Sequence, residues 1–268
     1  MNVAHVVITP DYARQLLEQN TNNRPCSESH VNFLAREIIL NRWKLNGSTI
    51  VLNGERLIDG QHRLHAIIKA NKPIETLIVE GLSSDVFDTI DAGKKRSSSD
   101  VLAIRGEKNT HNLAAAIAIV NSYEKGRITP YNMTSSYRYS AVETEELLEE
   151  YQGIRDSVNF ICGKQKLRKI MPPSLGSALH YLFSRIEPDL ADIFMSRLIT
   201  GEQLTSDHPV MVLRERLIEN TISRAKYPKP YIMAITIKTW NALRQNRPLR
   251  QLIWRVEGPT AEDFPTII

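Results

Sequence analysis

The residues best suited to chemistry form a short polar turn, Asp-Gly-Gln-His-Arg, at positions 59–63. Gly60 has no side chain, so the backbone can approach a ligand closely. If a helix begins here, its first amides and the positive end of its dipole favour a bound phosphate. Arg63 can donate two parallel hydrogen bonds to phosphate oxygens, His62 can donate one, and Gln61 can contact a base, a sugar or a phosphate. The turn therefore predicts a phosphate-binding site.

Two acidic residues beside this turn are candidates for catalysis. Asp59 has two interpretations: it can cap the following helix by accepting an amide hydrogen bond, or it can hold Mg²⁺ or act as a base beside the ligand. Glu55 is the second candidate acid. The alternative for the whole turn is a plain polar connection in which Arg63 is only solvated.

The elements around the turn alternate between short helices and short strands. A helix is predicted to open at Thr9, and a second to be capped by Ser27. Residues 49–52 and 56–58 predict a hairpin across an Asn-Gly pair, which tolerates positive φ. Helical spacing returns after the polar turn, and residues 74–79 predict a strand buried on both faces or nearly so.

Beyond Ser97 the pattern is almost entirely helical. Apolar periodicity predicts helices at 109–124, 141–152, 174–186, 188–200, 208–226 and 230–246. The apolar stretch 113–120 indicates a central helix, and 251–256 a strand or an extended tail. We therefore expect an α+β protein: a small mixed-sheet domain at 1–105 and an all-helical domain at 106–268.

Composition agrees with a globular, intracellular protein. The 268 residues are 42% hydrophobic and 24% charged, with a net charge of +4, enough to permit anionic partners but not to prove them. Cys26 and Cys162 belong to no metal-binding or disulfide pattern. The first residues do not resemble an export signal, and no run approaches 18 apolar residues. We expect a cytoplasmic protein without membrane contact.

A basic triplet at 94–96 marks a second candidate anion site. It follows Asp91 and Gly93 and precedes three serines that suit a helix start. Cations before a helix N-terminus reinforce its attraction for anions. The alternative is a solvated run of charges in a loop.

The stretch DGQHRLHA, after a hairpin and at the start of an amphipathic helix, resembles the ParB/sulfiredoxin superfamily, most closely its DGQHR branch in phage, plasmid and DNA-modification systems. Residues 87–102 look like the second motif of ParB-type domains. The resemblance implies a nucleoside triphosphate, CTP or ATP, with Mg²⁺ as an option. The residues it assigns to the phosphates are Gly60, Gln61, His62, Arg63, Lys94, Lys95 and Arg96.

The chain departs from its relatives at informative places. Gln61 stands where sulfiredoxins carry their catalytic cysteine, which argues against sulfinic-acid reduction. The helix-turn-helix of ParB proteins and the catalytic acid of the free-serine kinases are not identifiable in this sequence. The resemblance therefore bears on fold more than on activity.

These observations predict a ParB-like nucleotide-binding protein that acts on or with DNA. Hydrolysis is left open; if it occurs, Asp59 or Glu55 would be the acid. Two alternatives stay open: a DNA-binding regulator or nuclease-associated protein that grips DNA phosphate without nucleotide, and a small-molecule phosphotransferase or hydrolase. A homodimer is also left open.

Three features of the helical region yield further predictions. The basic residues of 214–250 can track a nucleic-acid backbone. His180 is expected to be a satisfied core histidine. Met233, Ile237 and Trp240 share one helix face and are expected to lie in the core.

Overall fold

The structure is a computed structural model that describes residues 1–21, 23, 25–54, 56–82, 96–134, 137–249 and 251–268. The chain divides into two compact units, Met1–Lys95 and Arg96–Ile268. The first is a small unit of sheet and helices and the second is helical, so the α+β class is confirmed.

Over its described residues, the sheet unit contains four strands and three helices. They are β1 (Asn2–Ile8), α1 (Pro10–Glu18), α2 (Glu28–Ile39), β2 (Thr49–Asn53), β3 (Arg56–Asp59), α3 (Gln61–Ala70) and β4 (Ile74–Glu80). The strand order is β1-β4-β2-β3, with β2 parallel to β4 and the other two pairs antiparallel. The sheet is therefore mixed.

The predicted starts of the first two helices are confirmed. Thr9 accepts a hydrogen bond from the Tyr12 amide and caps α1. Ser27 precedes α2 as expected, but its side chain makes no capping bond and lies 3.2 Å from the Ser29 hydroxyl instead. The predicted start of this helix is confirmed, but the predicted capping bond of the Ser27 side chain is wrong.

The strands yield one confirmation, one correction and one addition. The hairpin of β2 and β3 is confirmed. β4 is fully buried on one face, that of Ile74, Thr76 and Ile78, whereas on its other face Leu77 and Val79 are half-buried and Glu75 is exposed. Sequence reasoning missed β1, whose β-branched residues before Thr9 were a usable signal.

The core of the sheet unit lies between the three helices and one face of the sheet. Ile8, Ile50 and Ile78 from the strands pack with Leu16 of α1 and Ile67 of α3. This apolar layer packs α3 against the sheet that contains β3. The polar turn 59–63, which joins β3 to α3, is therefore held in place at both ends.

The helical unit consists of eight α-helices and a short 3-10 helix over the part of the chain that is described. They are α4 (Ser98–Ile104), α5 (Thr110–Glu124), α6 (Ala141–Glu150), α7 (Ile154–Cys162), the 3-10 helix (Gln165–Lys169), α8 (Pro173–Ser184), α9 (Pro188–Thr200), α10 (Pro209–Ile222) and α11 (Lys229–Arg244). The six predicted helices are confirmed. Helix α7 and the 3-10 helix were not predicted.

The centre of the helical unit is α8, in which every residue from Leu175 to Phe183 is buried. Phe183 stacks on Trp240 of α11 with ring centroids 4.2 Å apart. The predicted core positions of α11 are confirmed, since Met233, Ile237 and Trp240 are fully buried. Helix α5, predicted to be central, packs against α4, α6, α7 and α8.

The ends of the helical unit differ from the predicted boundaries. Leu102 of α4 packs in the helical core, so this unit begins at Arg96, about ten residues before the boundary predicted at 105/106. Residues 251–256 form neither a helix nor a strand, and Leu252 and Trp254 are buried in the helical core. The strand interpretation is therefore wrong, and the interpretation as a tail that packs back onto the body is confirmed.

Candidate phosphate site

The polar turn 59–63 joins β3 directly to α3, as the sequence predicted. Gly60 is the N-cap residue of α3 and has a φ of +111°, a backbone conformation that favours glycine. A Cβ at this position would overlap Ile50 Cδ1 and lie 3.4 Å from Ile50 Cα. The glycine is therefore required by the fold itself, before any ligand is considered.

Gly60 has no side chain and therefore makes no capping hydrogen bond to the first turn of α3. The Leu64 amide donates to the Gly60 carbonyl, which is the first backbone bond of the helix. In an α-helix the amides before that bond have no intrahelical acceptor, and they lie at the positive end of the dipole. The prediction that Asp59 caps this helix is wrong, because the Asp59 carboxylate binds Arg63 instead.

Asp59 and Arg63 form an ion pair across the turn. Arg63 Nη2 donates to Asp59 Oδ2 at 2.6 Å. The side chain of Arg63 is 18% exposed and that of Asp59 is 34% exposed. Because the carboxylate restrains the guanidinium at the helix start, Asp59 acts on Arg63 as a positioning residue in this conformation. A carboxylate so engaged is less suited to act as a base.

Gln61 and His62 bind neighbouring loops. Gln61 is buried, and its Oε1 accepts from Asn20 Nδ2 at 3.2 Å. The Ser27 amide donates to His62 Nε2 at 3.0 Å. An imidazole nitrogen that accepts carries no proton, so this bond requires a neutral His62 with its proton on Nδ1. Both residues therefore have structural roles in addition to the predicted ligand contacts.

A shallow cavity of about 340 Å³ lies beside the same helix. Its walls come from the start of α2 and from the second and third turns of α3: Cys26, Glu28, Val31, His65, Ile68 and Lys69. Cavities of roughly 300–1,000 Å³ are typical of small-ligand sites. Sequence reasoning missed this cavity, because only the packing of α2 on α3 brings its walls together.

The electrostatics of this region do not favour a nucleophile. Desolvation by burial raises the pKa of the Cys26 thiol, so this cysteine is more firmly protonated than an ordinary one. Among the described residues, the ion pairs around the turn and the cavity include Asp59 with Arg63 and Glu28 with Lys69, whose nearest atoms are 4.0 Å apart.

The second predicted anion site has a different structure. Arg96 is exposed and precedes α4. Ser97 Oγ accepts from the Asp100 amide at 3.2 Å, and Asp100 Oδ2 accepts from the Ser97 amide at 2.8 Å. This capping box satisfies two amides and adds a negative charge at the helix start. Lys94, Lys95 and Glu55 lie outside the described residues, so their predicted roles stay predictions.

The basic residues of 214–250 are partly neutralised within the chain. Lys238 binds Glu262 at 2.7 Å and Arg244 binds Glu187 at 3.2 Å. Lys226 donates to two backbone carbonyls at the end of α10. The exposed cations of this region include Arg224, Lys229 and Arg247.

His180 lies in a buried polar network, and its prediction as a satisfied core histidine is confirmed. Its Nδ1 lies 2.9 Å from Ser157 Oγ, and its Nε2 lies 2.7 Å from Asp192 Oδ1. The order serine, histidine, aspartate is that of a hydrolase triad, but Ser157 is only 3% exposed. A buried hydroxyl cannot meet a substrate, so this network holds α7, α8 and α9 together.

No family model, curated protein or solved structure matches this chain. Within the described residues, none of the helices combines the length and the apolar character needed to cross a membrane. The function is therefore inferred from the geometry and the residues of the polar turn and the cavity.

Proposed function

We propose that the sheet unit binds a nucleoside triphosphate, with the phosphates at the start of α3 and the nucleoside in the cavity between α2 and α3. The observation that carries this proposal is the start of α3, where the N-cap residue Gly60 has no side chain to cover the helix end and is followed by His62 and Arg63. A phosphate can accept hydrogen bonds from such amides and from a guanidinium at the same time.

The cavity supports a nucleotide over a bare phosphate. His65 comes four residues after Gln61, which places it roughly 6 Å further along the helix axis. Val31 and Ile68 offer apolar surface for a base, and Glu28 and Lys69 offer polar groups at the margin. A ligand with an anionic end and a planar apolar end fits both parts.

The resemblance to the ParB/sulfiredoxin superfamily supports a more specific version. In this version the protein is a ParB-like, cytoplasmic protein of a phage or plasmid system that acts with DNA, and CTP or ATP is the nucleotide. The exposed cations Arg224, Lys229 and Arg247 of the helical unit support contact with a DNA backbone. Mg²⁺ would accompany the nucleotide as its phosphate counterion.

Calorimetric titration of the full chain with CTP, ATP, GTP and ADP, each with Mg²⁺, tests the binding. We expect a submillimolar Kd for at least one triphosphate and a loss of at least tenfold in Arg63→Ala, because a guanidinium–phosphate bond is charge-assisted. Arg14→Ala is the matched control, since Arg14 also pairs with an aspartate one turn away, on α1. The absence of binding at millimolar nucleotide would refute the proposal.

Asp59→Asn separates the two roles proposed for the carboxylate. If Asp59 only positions Arg63, removing its charge lowers the repulsion on the phosphates, and the affinity is retained or rises. If Asp59 holds Mg²⁺, the Mg²⁺-dependent part of the affinity is lost. The same titration with and without Mg²⁺ distinguishes these results.

DNA association is tested by fluorescence anisotropy with a labelled duplex over a range of salt concentrations. We expect binding that weakens steeply with salt and that changes when nucleotide is added. Binding that depends on salt but is indifferent to nucleotide would favour the alternative in which the turn grips DNA phosphate directly. Lys95→Ala with Arg96→Ala tests the second motif, and unchanged nucleotide affinity would exclude it from the site.

A further inference from the structure

The two edges of the sheet differ in how far other parts of the sheet unit cover them. At the β3 edge, the Leu57 amide donates to the Gln19 carbonyl at 3.0 Å, and Asn23 Nδ2 donates to the Leu57 carbonyl at 2.8 Å. The loop between α1 and α2 thus covers this edge. At the other edge, β1 pairs with β4 and with no second strand of the described residues.

Among the described residues, the second side of β1 is unpaired along the whole strand, and its one titratable side chain is His5, whose Nε2 lies 3.3 Å from Glu75 Oε2 of β4. Seven residues pair with β4, and the strand sequence contains no lysine, arginine, acid or proline. Val3 and Val7 are each 56% exposed. Proteins usually protect such an edge with a charge, a proline or a bulge, because its unpaired backbone groups accept another strand.

The strand is self-complementary in one register. Val3, His5 and Val7 share the face opposite to the core, since their partners in β4 are Val79, Leu77 and Glu75. If two copies meet antiparallel around His5, the Val3 of each copy lies opposite the Val7 of the other. On the core face the same register sets Ala4 opposite Val6. An antiparallel pair centred on another residue would place a valine opposite the His5 imidazole or shorten the paired segment.

We infer that the free edge of β1 pairs antiparallel with the same edge of a second copy of this chain, centred on His5. The four-stranded sheet then continues across a two-fold axis as eight strands, and both copies keep their helices on the same side. Valine pairs directly opposite each other stabilise an antiparallel pair, and the backbone groups of both edges gain partners. The interface is small, so the dimer dissociates at low concentration.

Sedimentation equilibrium of the full chain between about 1 and 300 µM tests the association. We expect the mass to rise with concentration from 30.5 kDa towards twice that value. Val3→Lys combined with Val7→Lys places ammonium groups opposite each other in the pair, and should weaken dimerisation by at least tenfold. The matched control is Val142→Lys with Ile222→Lys, two exposed apolar residues of the helical unit, which should dimerise like the native chain.

Engineered disulfides test the register. In a Cys26→Ser background, His5→Cys should crosslink to itself under copper-phenanthroline oxidation, since residues directly opposite lie within disulfide distance. Val3→Cys should not, because the two copies of residue 3 would be roughly 13 Å apart. An equimolar mixture of Val3→Cys and Val7→Cys chains should crosslink.

Three results would overturn the inference. They are a monomer at every concentration, a dimer that survives the paired lysines at β1, and crosslinking of Val3→Cys as fast as that of His5→Cys. The thermal unfolding of each variant is compared with that of the native chain, so that loss of the dimer is not confused with loss of the fold.

Discussion

The polar turn 59–63 and the His180 network contain similar residue types and use them in opposite ways. Both bring a histidine, an aspartate and small polar groups together. At the turn, Arg63 and Asp59 keep part of their surface exposed, and the N-cap residue Gly60 has no side chain to cap α3. In the network, His180 and Ser157 are buried, and their polar atoms bind each other and Asp192.

The difference shows that residue type does not distinguish a binding site from a structural one. A polar group can bind a ligand only if the fold leaves its bonding capacity accessible, whereas a buried polar group must be satisfied within the chain. The start of α4 makes the same point, because its serine and aspartate cap their own helix. The following substitutions test whether the polar groups of the turn contribute less to stability than the buried groups of the network.

The largest expected effect is that of Gly60→Ala. A side chain at φ +111° is strained, and its Cβ would overlap the Cδ1 atom of fully buried Ile50, so the end of that side chain must shift within the packed core. We expect a loss of about 3 kcal/mol in the free energy of unfolding of the sheet unit, measured by urea denaturation. Gly54→Ala is the control, because its φ is +61° with nothing within 4 Å, and it should cost about 1 kcal/mol. Equal losses would contradict the role assigned to Ile50.

His180→Ala should destabilise the helical unit by about 2 kcal/mol. The substitution leaves Ser157 Oγ buried without its imidazole partner and removes the ring that stacks on Phe160 at 4.4 Å. Urea denaturation followed by tryptophan fluorescence measures the loss, since Trp240 and Trp254 lie in the helical core. If His180 were a functional residue that the core merely tolerates, its removal would leave stability unchanged.

The stability of the helical unit should fall as the pH drops below about 6.5. Burial is the main cause that holds the pKa of His180 below its ordinary value of 6.5, against the opposing effect of Asp192. Below pH 6.5 the unfolded chain therefore takes up a proton that the folded chain resists, and stability is lost as the pH falls towards the folded pKa. At pH 8 this loss is absent.

Unfolding free energies at pH 8, 6.5 and 5.5 for the native chain and for His180→Ala measure this effect. The native chain should lose more stability than the variant over that range. The variant keeps a smaller dependence, because burial and Arg197 also lower the pKa of His208. Identical slopes for the two proteins would exclude His180 as the source.

Asp59→Asn should have the smallest effect on stability. The pair with Arg63 is partly exposed, so its contribution is expected to be below about 1 kcal/mol in urea denaturation. This expectation separates the turn from the network, where the bond between His180 and Ser157 is buried. A loss of several kcal/mol would mean that the pair is a structural element of the sheet unit rather than part of an accessible site.

Much of the local structure could be predicted from the sequence, because it depends on near neighbours. Thr9 before Pro10, the Asn53-Gly54 pair of the hairpin and the glycine before α3 are short-range signals whose conformations are set by a few backbone angles. The α+β class and the main helices follow from apolar periodicity. The β1 strand was also readable from its valines, although it was missed.

The sequence by itself determined where the strands turn into helices and which residues stand at the start of α3. Only the tertiary structure decided which of those residues have accessible bonding groups. It packed Ile50 against Gly60, built a cavity from α2 and α3, and, among the described residues, left the β1 edge unpaired while the loop after α1 covers that of β3. These contacts join different elements, and their geometry depends on how whole elements pack, which no local pattern encodes.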